Sequence, residues 1–440
     1  MVWLQHSERQ RHVRGLAHWH GGSKGDALRH FHIRRGERST KKGAPPQDVV
    51  DEHGAVSVAL LGSDMPGLRP KFEVEEGDRV RVGQVLFRNR RHLDVAYVSP
   101  ISGTVASLSY GARRTLSSCI ITPVQEPPEK PVERQIDVQD GMGVREVLMS
   151  AGMWSAFRTR PFGHTPKPDA ITEAVFVNAC HASPMAPDPR IVLNGREELF
   201  ERGLSLLTTL TEGPIYLCQS PGEPLSKDFD RLEVVSFSGT MAAGLSGTHI
   251  DRLRPVRAGM EVWTIDYQDV IAIGHLFETG RFMGDRVIAV SGDGAAPARL
   301  VRTSLGAKIA EMCHPEERAR ALAGDVSSGR EAAYLGRFHN QISVLSGSRR
   351  QSKWLWNASR ASTVSALVPT GALDQALAPD ILAVPLMRAL SIGDSETAER
   401  LGCLALIEED VAALSRHCTS GSRYDALLRL VLDDLMADVA

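Results

Sequence analysis

Three pairs of adjacent cysteine and histidine residues are the most obvious candidates for metal chemistry in this sequence. They are Cys180-His181, Cys313-His314 and His417-Cys418. Adjacent residues rarely ligate one ion with good geometry, so the pattern favours buried cysteines beside ordinary histidines. None of the six cysteines forms a Cys-x-x-Cys pair, which argues against an iron–sulfur cluster or a zinc site held by cysteines. The sequence therefore predicts no metal site.

A glycine-rich segment, Ser238–Gly247, follows a predicted strand and is a candidate phosphate-binding loop. Glycines let backbone N–H groups approach a phosphate closely. The segment lacks the G-x-G-x-x-G spacing of dinucleotide-binding loops and the Lys-Ser/Thr of a P-loop, and no long helix clearly begins there. The pattern favours a connecting loop over a dinucleotide site.

Short β-prone runs separated by glycines predict a compact all-β unit over residues 68–122. Within it, Glu76–Leu86 and Ser99–Val105 resemble the two halves of a barrel-sandwich (biotinyl/lipoyl-like) domain. A carrier domain of this kind needs a lysine on the hairpin between the halves. Phe87–Ser99 contains arginines but no lysine, and a guanidinium does not replace a nucleophilic amine. The sequence therefore predicts the fold without the carrier function.

Strands and helices alternate after a proline-rich linker at Val124–Pro131, which predicts parallel βαβ pairing from about residue 140. The predicted elements are a helix at Val144–Ala156, a strand at Ala174–Asn178, a helix at Arg196–Glu212, and strands at Ile215–Cys218 and Glu233–Phe237. A second β-rich block, at 254–350, includes an amphipathic helix that begins at the predicted N-cap Asp266, with Val270, Ile273 and Phe277 on one face.

A helical tail closes the chain, with helices predicted near 379–391, 395–402, 408–416 and 422–438. Its last helix carries an apolar stripe that must be buried, either on the chain's own core or on a partner. The stripe consists of Tyr424, Leu428, Val431, Leu435 and Val439.

The composition limits the possible function classes. The 440 residues include 51 basic and 53 acidic side chains, so the whole chain has no polycationic footprint for nucleic acid. No apolar stretch approaches the roughly 20 residues of a membrane-spanning helix. The few, dispersed cysteines fit a reducing cytosol. The first 30 residues are basic and histidine-rich, and we predict a disordered extension or a start codon assigned too early.

Several segments together closely resemble the A subunit of the Na+-translocating NADH:quinone oxidoreductase. They are the barrel-sandwich segment, Ala151–Phe162, Gly247–Ile250, Val262–Gly274, Val287–Gly306 and Tyr334–Gln341. The resemblance implies a peripheral subunit, on the cytoplasmic face of the bacterial inner membrane, of a six-subunit complex. That complex passes electrons from NADH to ubiquinone and exports Na+. Related architectures are the C subunit of the Rnf complex and the flavin subunit of respiratory complex I.

The resemblance also implies a fold class of α/β plus all-β, divided along the chain. The expected parts are the extension at 1–30, a barrel-sandwich domain at 31–130, a Rossmann-like α/β domain at 140–253, a β-grasp domain of the soluble-ligand-binding type at 254–350, and a helical C-terminal region at 351–440. The sequence departs from the family at Cys418–Tyr424, where a Cys-Pro-Gly turn is usual.

Comparison with the related subunits predicts that this subunit holds no cofactor. The complex I subunit brings a glycine-rich loop against flavin phosphate, whereas the comparable segment here, Trp154–Phe162, contains no glycine. This chain also lacks the cysteine clusters of the Rnf subunit. The complex uses NADH, ubiquinone and Na+, and its flavins and iron–sulfur centre would then be carried by the other five subunits. Ubiquinone could lie near the interface with the membrane subunits.

Arg158, Arg160 and His249 are the candidate contact residues. The two arginines surround Thr159 in a predicted exposed turn, where they could contact an acidic loop of a partner subunit or a quinone carbonyl. They could equally be structural, either snorkelling at a helix end or bridging to Asp169 or Asp188. His249 could donate to a quinone oxygen, but most such histidines are satisfied polar groups. No catalytic, cofactor-binding or metal residue is predicted. The alternative function is a stand-alone NADH- or flavin-binding oxidoreductase resembling the complex I flavin subunit.

Overall fold

The computed structural model describes residues 28–38, 42–124, 130–136, 143–180, 183–227, 229–257, 259–313, 319–326, 328–346 and 366–439. Of the predicted extension 1–30, only residues 28–30 belong to this described part, and residues 125–129 of the proline-rich linker also lie outside it. Among the described residues, no helix is long and apolar enough to cross a membrane.

The strands of the described chain are numbered in order along the sequence. They are β1 (Arg29–Ile33), β2 (Val50–Glu52), β3 (Val58–Leu61), β4 (Pro70–Phe72), β5 (Arg79–Val80), β6 (Val85–Asn89), β7 (His92–Val98), β8 (Gly103–Tyr110), β9 (Leu116–Thr122), β10 (Arg158–Arg160), β11 (Val175–Ala179), β12 (Ile215–Gln219), β13 (Leu232–Gly239), β14 (Val262–Asp266), β15 (Asp285–Ser291), β16 (Arg299–Ser304), β17 (Arg320–Ala323), β18 (Arg330–Glu331) and β19 (Gln341–Leu345).

The α-helices of the described chain are numbered in the same way. They are α1 (Val144–Ser150), α2 (Pro189–Leu193), α3 (Glu197–Leu207), α4 (Ser246–Leu253), α5 (Tyr267–Thr279), α6 (Ile309–Met312), α7 (Gly371–Ala376), α8 (Ala383–Ile392), α9 (Ser395–Arg400), α10 (Glu408–His417) and α11 (Tyr424–Val439).

A six-stranded sheet in the order β1-β13-β12-β11-β14-β10 forms the centre of the α/β part. All neighbours pair in parallel except the edge strand β10, which is antiparallel to β14. The predicted strands at β11, β12 and β13 and the α/β class are confirmed. Because the chain leaves β11 toward β12 and β13 on one side and returns to β14 on the other, the strand order reverses between β11 and β14. In sheets of this kind the crevice at such a reversal, at the carboxyl ends of the strands, is the usual ligand site.

Two strands join this sheet from outside the predicted α/β boundaries. β1 pairs in parallel with β13, although the sequence placed it in or before the barrel-sandwich domain. β14 pairs in parallel with β11, although the sequence placed it in the second β-rich block. Both pairings join segments far apart in the chain, and a local pattern of β-prone residues does not reveal its partner strand.

The barrel-sandwich part consists of two small antiparallel sheets, in the orders β3-β9-β8-β5 and β4-β6-β7. This confirms the predicted barrel-sandwich domain. A third assembly, a mixed sheet in the order β18-β17-β19-β15-β16-β2, follows the α/β part in sequence and takes its edge strand β2 from the N-terminal segment.

Helices α3 and α5 pack closely on one face of the parallel sheet. Asp266 caps α5 as predicted, its Oδ1 accepting a hydrogen bond from the Gln268 backbone N–H at 2.8 Å. The predicted apolar positions of α5 are buried, but so is most of the rest of the helix, because it packs on the parallel sheet and α3 while its first turn contacts Arg286 and Val287 of β15. The expected amphipathic pattern is therefore incomplete. The contact depends on Gly203 and Gly274, since a Cβ at Gly274 would lie 1.9 Å from the Leu199 carbonyl oxygen.

The C-terminal helices form a core of their own. The four predicted helices correspond to α8, α9, α10 and α11, and the sequence missed α7. The stripe residues Tyr424, Leu428, Val431 and Leu435 are buried in this core, so the chain itself covers them. Ser415 Oγ accepts a hydrogen bond from the Tyr424 backbone N–H at 2.9 Å, which fixes the start of α11 after the unusual Cys418–Tyr424 turn.

Candidate functional site

The carboxyl edge of the parallel sheet is the candidate site, because the strand order reverses there. Asn178 near the end of β11 and Asp266 at the end of β14 are partners across the two strands. The Asn178 side-chain amide donates to the Gly244 carbonyl at 2.9 Å and to Ser246 Oγ at 3.2 Å. The amide thus fastens the glycine-rich segment to the edge.

The glycine-rich segment leads from β13 into α4, an eight-residue helix whose start the sequence did not identify. Gly247, in the first turn of α4, lies against Asp410 from the start of α10. A Cβ added at Gly247 would be 2.3 Å from Asp410 Oδ1, so a larger residue there would require the Asp410 side chain to move. A carboxylate of the chain itself therefore lies beside the helix N-terminus that an incoming phosphate would have to approach.

Asp266 is held by charged and polar groups of the mixed sheet. The Arg286 guanidinium on β15 lies 3.1 Å from Asp266 Oδ1 and 2.8 Å from Asp269 Oδ1, and the Asn340 amide donates to Asp266 Oδ2 at 2.7 Å. Arg337 adds a second guanidinium 3.1 Å from Asp269 Oδ1. Burial raises the pKa of Asp266 to about 6, although the Arg286 charge opposes this shift. Sequence reasoning identified Asp266 only as a helix cap and missed its partners, which lie some 20 residues and more away.

The segment Trp154–Phe162 is a buried edge of the sheet, so the predicted exposed turn is wrong. Its residues Arg158–Arg160 form β10, in register with β14. Trp154 and Phe157 are fully buried and pack on Trp263, with ring centroids 5.3 and 5.6 Å away. Thr159 and Pro161 suggested an exposed turn. The aromatic side chains beside them are buried, however, and their burial places the strand inside the molecule.

The carboxylates that face Arg158 and Arg160 come from α10, not from Asp169 or Asp188. Arg158 Nη1 lies 3.3 Å from Glu409 Oε2, and Arg160 Nη2 lies 3.5 Å from Glu409 Oε1 and 3.6 Å from Asp410 Oδ2. Arg160 has no exposed surface. The pair of arginines thus joins the edge of the α/β sheet to the C-terminal helices, and the predicted contact of these arginines with a quinone or a partner subunit stays a prediction.

The surroundings of this ion-pair cluster shift the pKa of several of its side chains. Burial raises the pKa of Asp410 to about 6, opposed by the Arg160 charge, and burial lowers the pKa of Arg160. Burial would also raise the pKa of Glu408, but hydrogen bonds and charge from Arg429 lower it to about 2. Arg429 further donates to the Phe162 carbonyl at 2.8 Å. The cluster is therefore a charged contact between two parts of the chain, with its carboxylates held by arginines.

His249 lies inside the α/β part and has no exposed surface. Its Nε2 lies 2.7 Å from the Ala243 carbonyl oxygen, and its ring packs on Phe237 with centroids 4.3 Å apart. Burial lowers the pKa of His249 to about 4. The sequence favoured a satisfied polar group, and this holds for Nε2 only, because the buried Nδ1 has no hydrogen-bond partner among the described residues. A contact of His249 with quinone stays a prediction.

The cysteines are buried and free, as the sequence favoured. Burial raises the pKa of Cys180 to about 12. His181 and His314 lie outside the described residues, and His417 Nε2 lies 2.8 Å from Glu37 Oε1. In the part of the chain that the structure covers, no group of three or more His, Cys, Asp or Glu side chains could hold a metal ion.

Comparison with protein-family models gives two matches. The NqrA N-terminal barrel-sandwich hybrid domain matches residues 31–123, and the NqrA second alpha/beta domain matches residues 139–282. The second match extends through β14 and α5, as the sheet pairing does.

Three curated proteins similar to this chain are each described as the A subunit of the Na(+)-translocating NADH-quinone reductase. The protein of Neisseria meningitidis serogroup A is 38% identical over 441 residues, covering 92% of this chain and 98% of its own length. The protein of Saccharophagus degradans is 37% identical, covering 90% and 97%, and that of Pasteurella multocida is 37% identical, covering 92% and 98%. Among solved structures, an air-oxidized NAD+-reducing NiFe hydrogenase overlaps at 12% identity and a TM-score of 0.34, over 71% of this chain and 68% of that chain, which is too low to carry an argument.

Proposed function

The chain belongs to the family of the A subunit of the Na+-translocating NADH-quinone reductase, and from this premise we propose that it is a peripheral, cofactor-free subunit of such a complex. In this role it contributes to ubiquinone reduction coupled to Na+ export without carrying electrons itself. The observation that carries the proposal is the match along nearly the whole length of both this chain and its relatives, at 37–38% identity.

The carboxyl edge of the parallel sheet supports the cofactor-free part of the proposal. Flavin- and dinucleotide-binding proteins need, at this edge, a helix N-terminus that a phosphate can reach and an uncovered strand end. In this chain, side chains of its own occupy both places. Asp410 lies against Gly247 at the start of α4, where its negative charge would repel a phosphate. Asp266 is held by Arg286 and Asn340, which cover the end of β14. A bound nucleotide would have to displace both sets of contacts.

We further propose the following finer assignments, which family membership supports. We assign the α/β part as Rossmann-like and the mixed sheet as a β-grasp domain, and we place the chain on the cytoplasmic face of the inner membrane. The other five subunits would supply the flavins and the iron–sulfur centre, and would place ubiquinone near their interface with this chain.

Two measurements test the proposal. Membranes of a host strain that lacks this chain should lose Na+-stimulated NADH:quinone reductase activity and regain it when the chain is restored. The purified chain alone should show no flavin absorbance and no stoichiometric iron. Stoichiometric flavin and NADH oxidation by the isolated chain would instead support the alternative, a stand-alone oxidoreductase. Unchanged activity in the deletion strain would contradict the assignment to the complex.

A further inference from the structure

Five exposed arginines lie together at one end of the barrel-sandwich part. They are Arg69, Arg90, Arg91, Arg113 and Arg114, and we call them the arginine patch. Two of them form the turn between β6 and β7, two lie in the turn between β8 and β9, and Arg69 lies just before β4.

Backbone hydrogen bonds hold the two turns side by side. The Arg90 N–H donates to the Arg69 carbonyl at 2.9 Å, and the Leu116 N–H donates to the Leu68 carbonyl at 2.9 Å. The segment Leu68–Arg69 therefore lies between the two turns and ties each of them in place. These bonds fix the positions of Arg69 and Arg90 and of the strand that follows Arg113 and Arg114.

The arginine patch has no carboxylate partners within the described chain, where none of its guanidinium groups lies within 4.0 Å of an acidic side chain. Arg88, on the neighbouring strand β6, shows the contrast, since its Nε lies 2.6 Å from Glu73 Oε1. Residues 58–122 contain nine Lys or Arg and six Asp or Glu, whereas the whole chain has a net charge of −2. The patch is thus a local positive surface on a slightly acidic protein.

Two large side chains with substantial exposure border the patch. Leu93, next to the β6–β7 turn, is 48% exposed, and Tyr110, at the end of β8, is 46% exposed. The Arg114 guanidinium lies 5.5 Å from the centroid of the Tyr110 ring. Positive charge beside an exposed leucine and tyrosine is typical of surfaces that sit at the headgroup level of a membrane.

The backbone of the turn between β8 and β9 does not favour arginine, so folding alone does not explain the two arginines found there. Arg113 and Arg114 both have left-handed backbone, with φ of 53° and 60°. A turn with two successive left-handed residues is best made by Asn-Gly, and a long side chain there costs stability. Residues held in such backbone cluster at functional sites, and neither side chain is buried here, so packing does not account for the two arginines.

We propose that the arginine patch binds the anionic phospholipid headgroups of a membrane surface. Guanidinium groups bind phosphate through paired N–H donors, and several unpaired arginines on one surface add their attraction to an anionic leaflet. Leu93 and Tyr110 would enter the interfacial layer beside them. The proposal uses family membership only to bring the chain near a membrane, so its failure would leave the proposed role in the complex intact.

The test is co-sedimentation of the full isolated chain with vesicles of stated composition. We expect binding to vesicles that contain phosphatidylglycerol, little binding to pure phosphatidylcholine vesicles, and loss of binding as salt is raised. The double variant Arg113→Asn/Arg114→Gly should fold at least as stably as the parent, because it places the preferred residues in the turn. Its binding should be about thirtyfold weaker, since two charges near the surface are lost.

A matched control removes the same charge elsewhere. Arg257 and Arg388 are exposed and lie outside the patch, so Arg257→Gln/Arg388→Gln should bind vesicles like the parent. Absence of binding to phosphatidylglycerol vesicles at low salt would overturn the proposal, as would equal loss in the control. If vesicles do not bind but the patch variant fails to assemble with the membrane subunits, the patch is instead a docking surface for an acidic protein, and the lipid proposal is wrong.

Discussion

Replacing Arg160 with methionine should destabilise the chain far more than the loss of an exposed ion pair would. Arg160 has no exposed surface, and its Nη2 lies 3.5 Å from Glu409 Oε1 and 3.6 Å from Asp410 Oδ2. The Asp410 side chain is itself only 1% exposed. Removing one partner of a buried pair leaves the other charge without compensation, which costs about 3–5 kcal/mol. We expect a loss of that size in the free energy of unfolding.

The measurement is urea unfolding of the full chain, followed by circular dichroism. Arg400→Met is the control, because the Arg400 side chain is 69% exposed and pairs with Glu396 at 3.7 Å, a contact worth at most about 0.5 kcal/mol. The double variant Arg160→Met/Asp410→Leu should recover more than half of the loss, since it removes the stranded carboxylate as well.

The pH dependence gives a second check on the same pair. Burial raises the pKa of Asp410 in the folded chain, so the folded state binds more protons than the unfolded state above the ordinary carboxyl pKa. The contribution of Asp410 to the free energy of unfolding therefore falls as the pH rises toward its pKa in the folded chain. Without the Arg160 charge that pKa is raised further, so the fall should continue to higher pH. The deficit of Arg160→Met should be larger at pH 8 than at pH 5. A deficit below about 1 kcal/mol at both pH values, or one equal to that of the control, would refute the role of the buried pair.

Three further predictions follow from other parts of the fold. Gly274→Ala should destabilise the chain by about 1–3 kcal/mol in urea unfolding, although alanine normally stabilises a helix, because its Cβ would overlap the helix packed against it. The parent chain should lose about 2 kcal/mol in free energy of unfolding between pH 7 and pH 5, because His249 has a pKa of about 4 in the folded chain and is protonated mainly in the unfolded chain. His249→Gln should abolish this loss. Deleting residues 1–33 should lower the melting temperature, because it removes β1 from the parallel sheet, whereas deleting residues 1–27 should change it little.

Each of these has its own control. Gly143→Ala should be tolerated, because a Cβ there would meet no atom within 4 Å. Phe237→Leu should lower stability equally at pH 7 and pH 5, since it removes packing against His249 but keeps the titrating ring. Unchanged stability in Gly274→Ala, an unchanged pH slope in His249→Gln, or equal melting temperatures of the two deletions would each contradict the corresponding contact.

Local signals in the sequence predicted the elements well, and their partners poorly. Strands β11, β12 and β13 and the last four helices were predictable because each carries its own periodicity and end signals. The burial of Arg160 was not, because the carboxylates that face it lie about 250 residues later, on α10. The cap at Asp266 was predictable from its position before an apolar helix, whereas its contact with Arg286 depends on how two sheets meet.

At the candidate site, the sequence of Trp154–Phe162 led to two predictions. The absence of glycine predicts that no flavin loop is present, which stays a prediction, and the residue types predict an exposed turn, which is wrong. The buried strand formed by Arg158–Arg160 became visible only through its pairing with β14 and the packing of Trp154 on Trp263. Burial of this kind is a property of the tertiary structure, which overrides turn propensity.

The most direct test of the central claim is purification of the tagged full chain from membranes of its own host, followed by an assay of the purified material for NADH:quinone reductase activity with and without Na+. If the chain is a subunit of a Na+-translocating NADH-quinone reductase, the activity should co-purify with it, respond to Na+, and disappear when the chain is stripped from its partners. Recovery of the chain alone, with no co-purified activity or with NADH oxidation that persists in the isolated chain, would contradict the account.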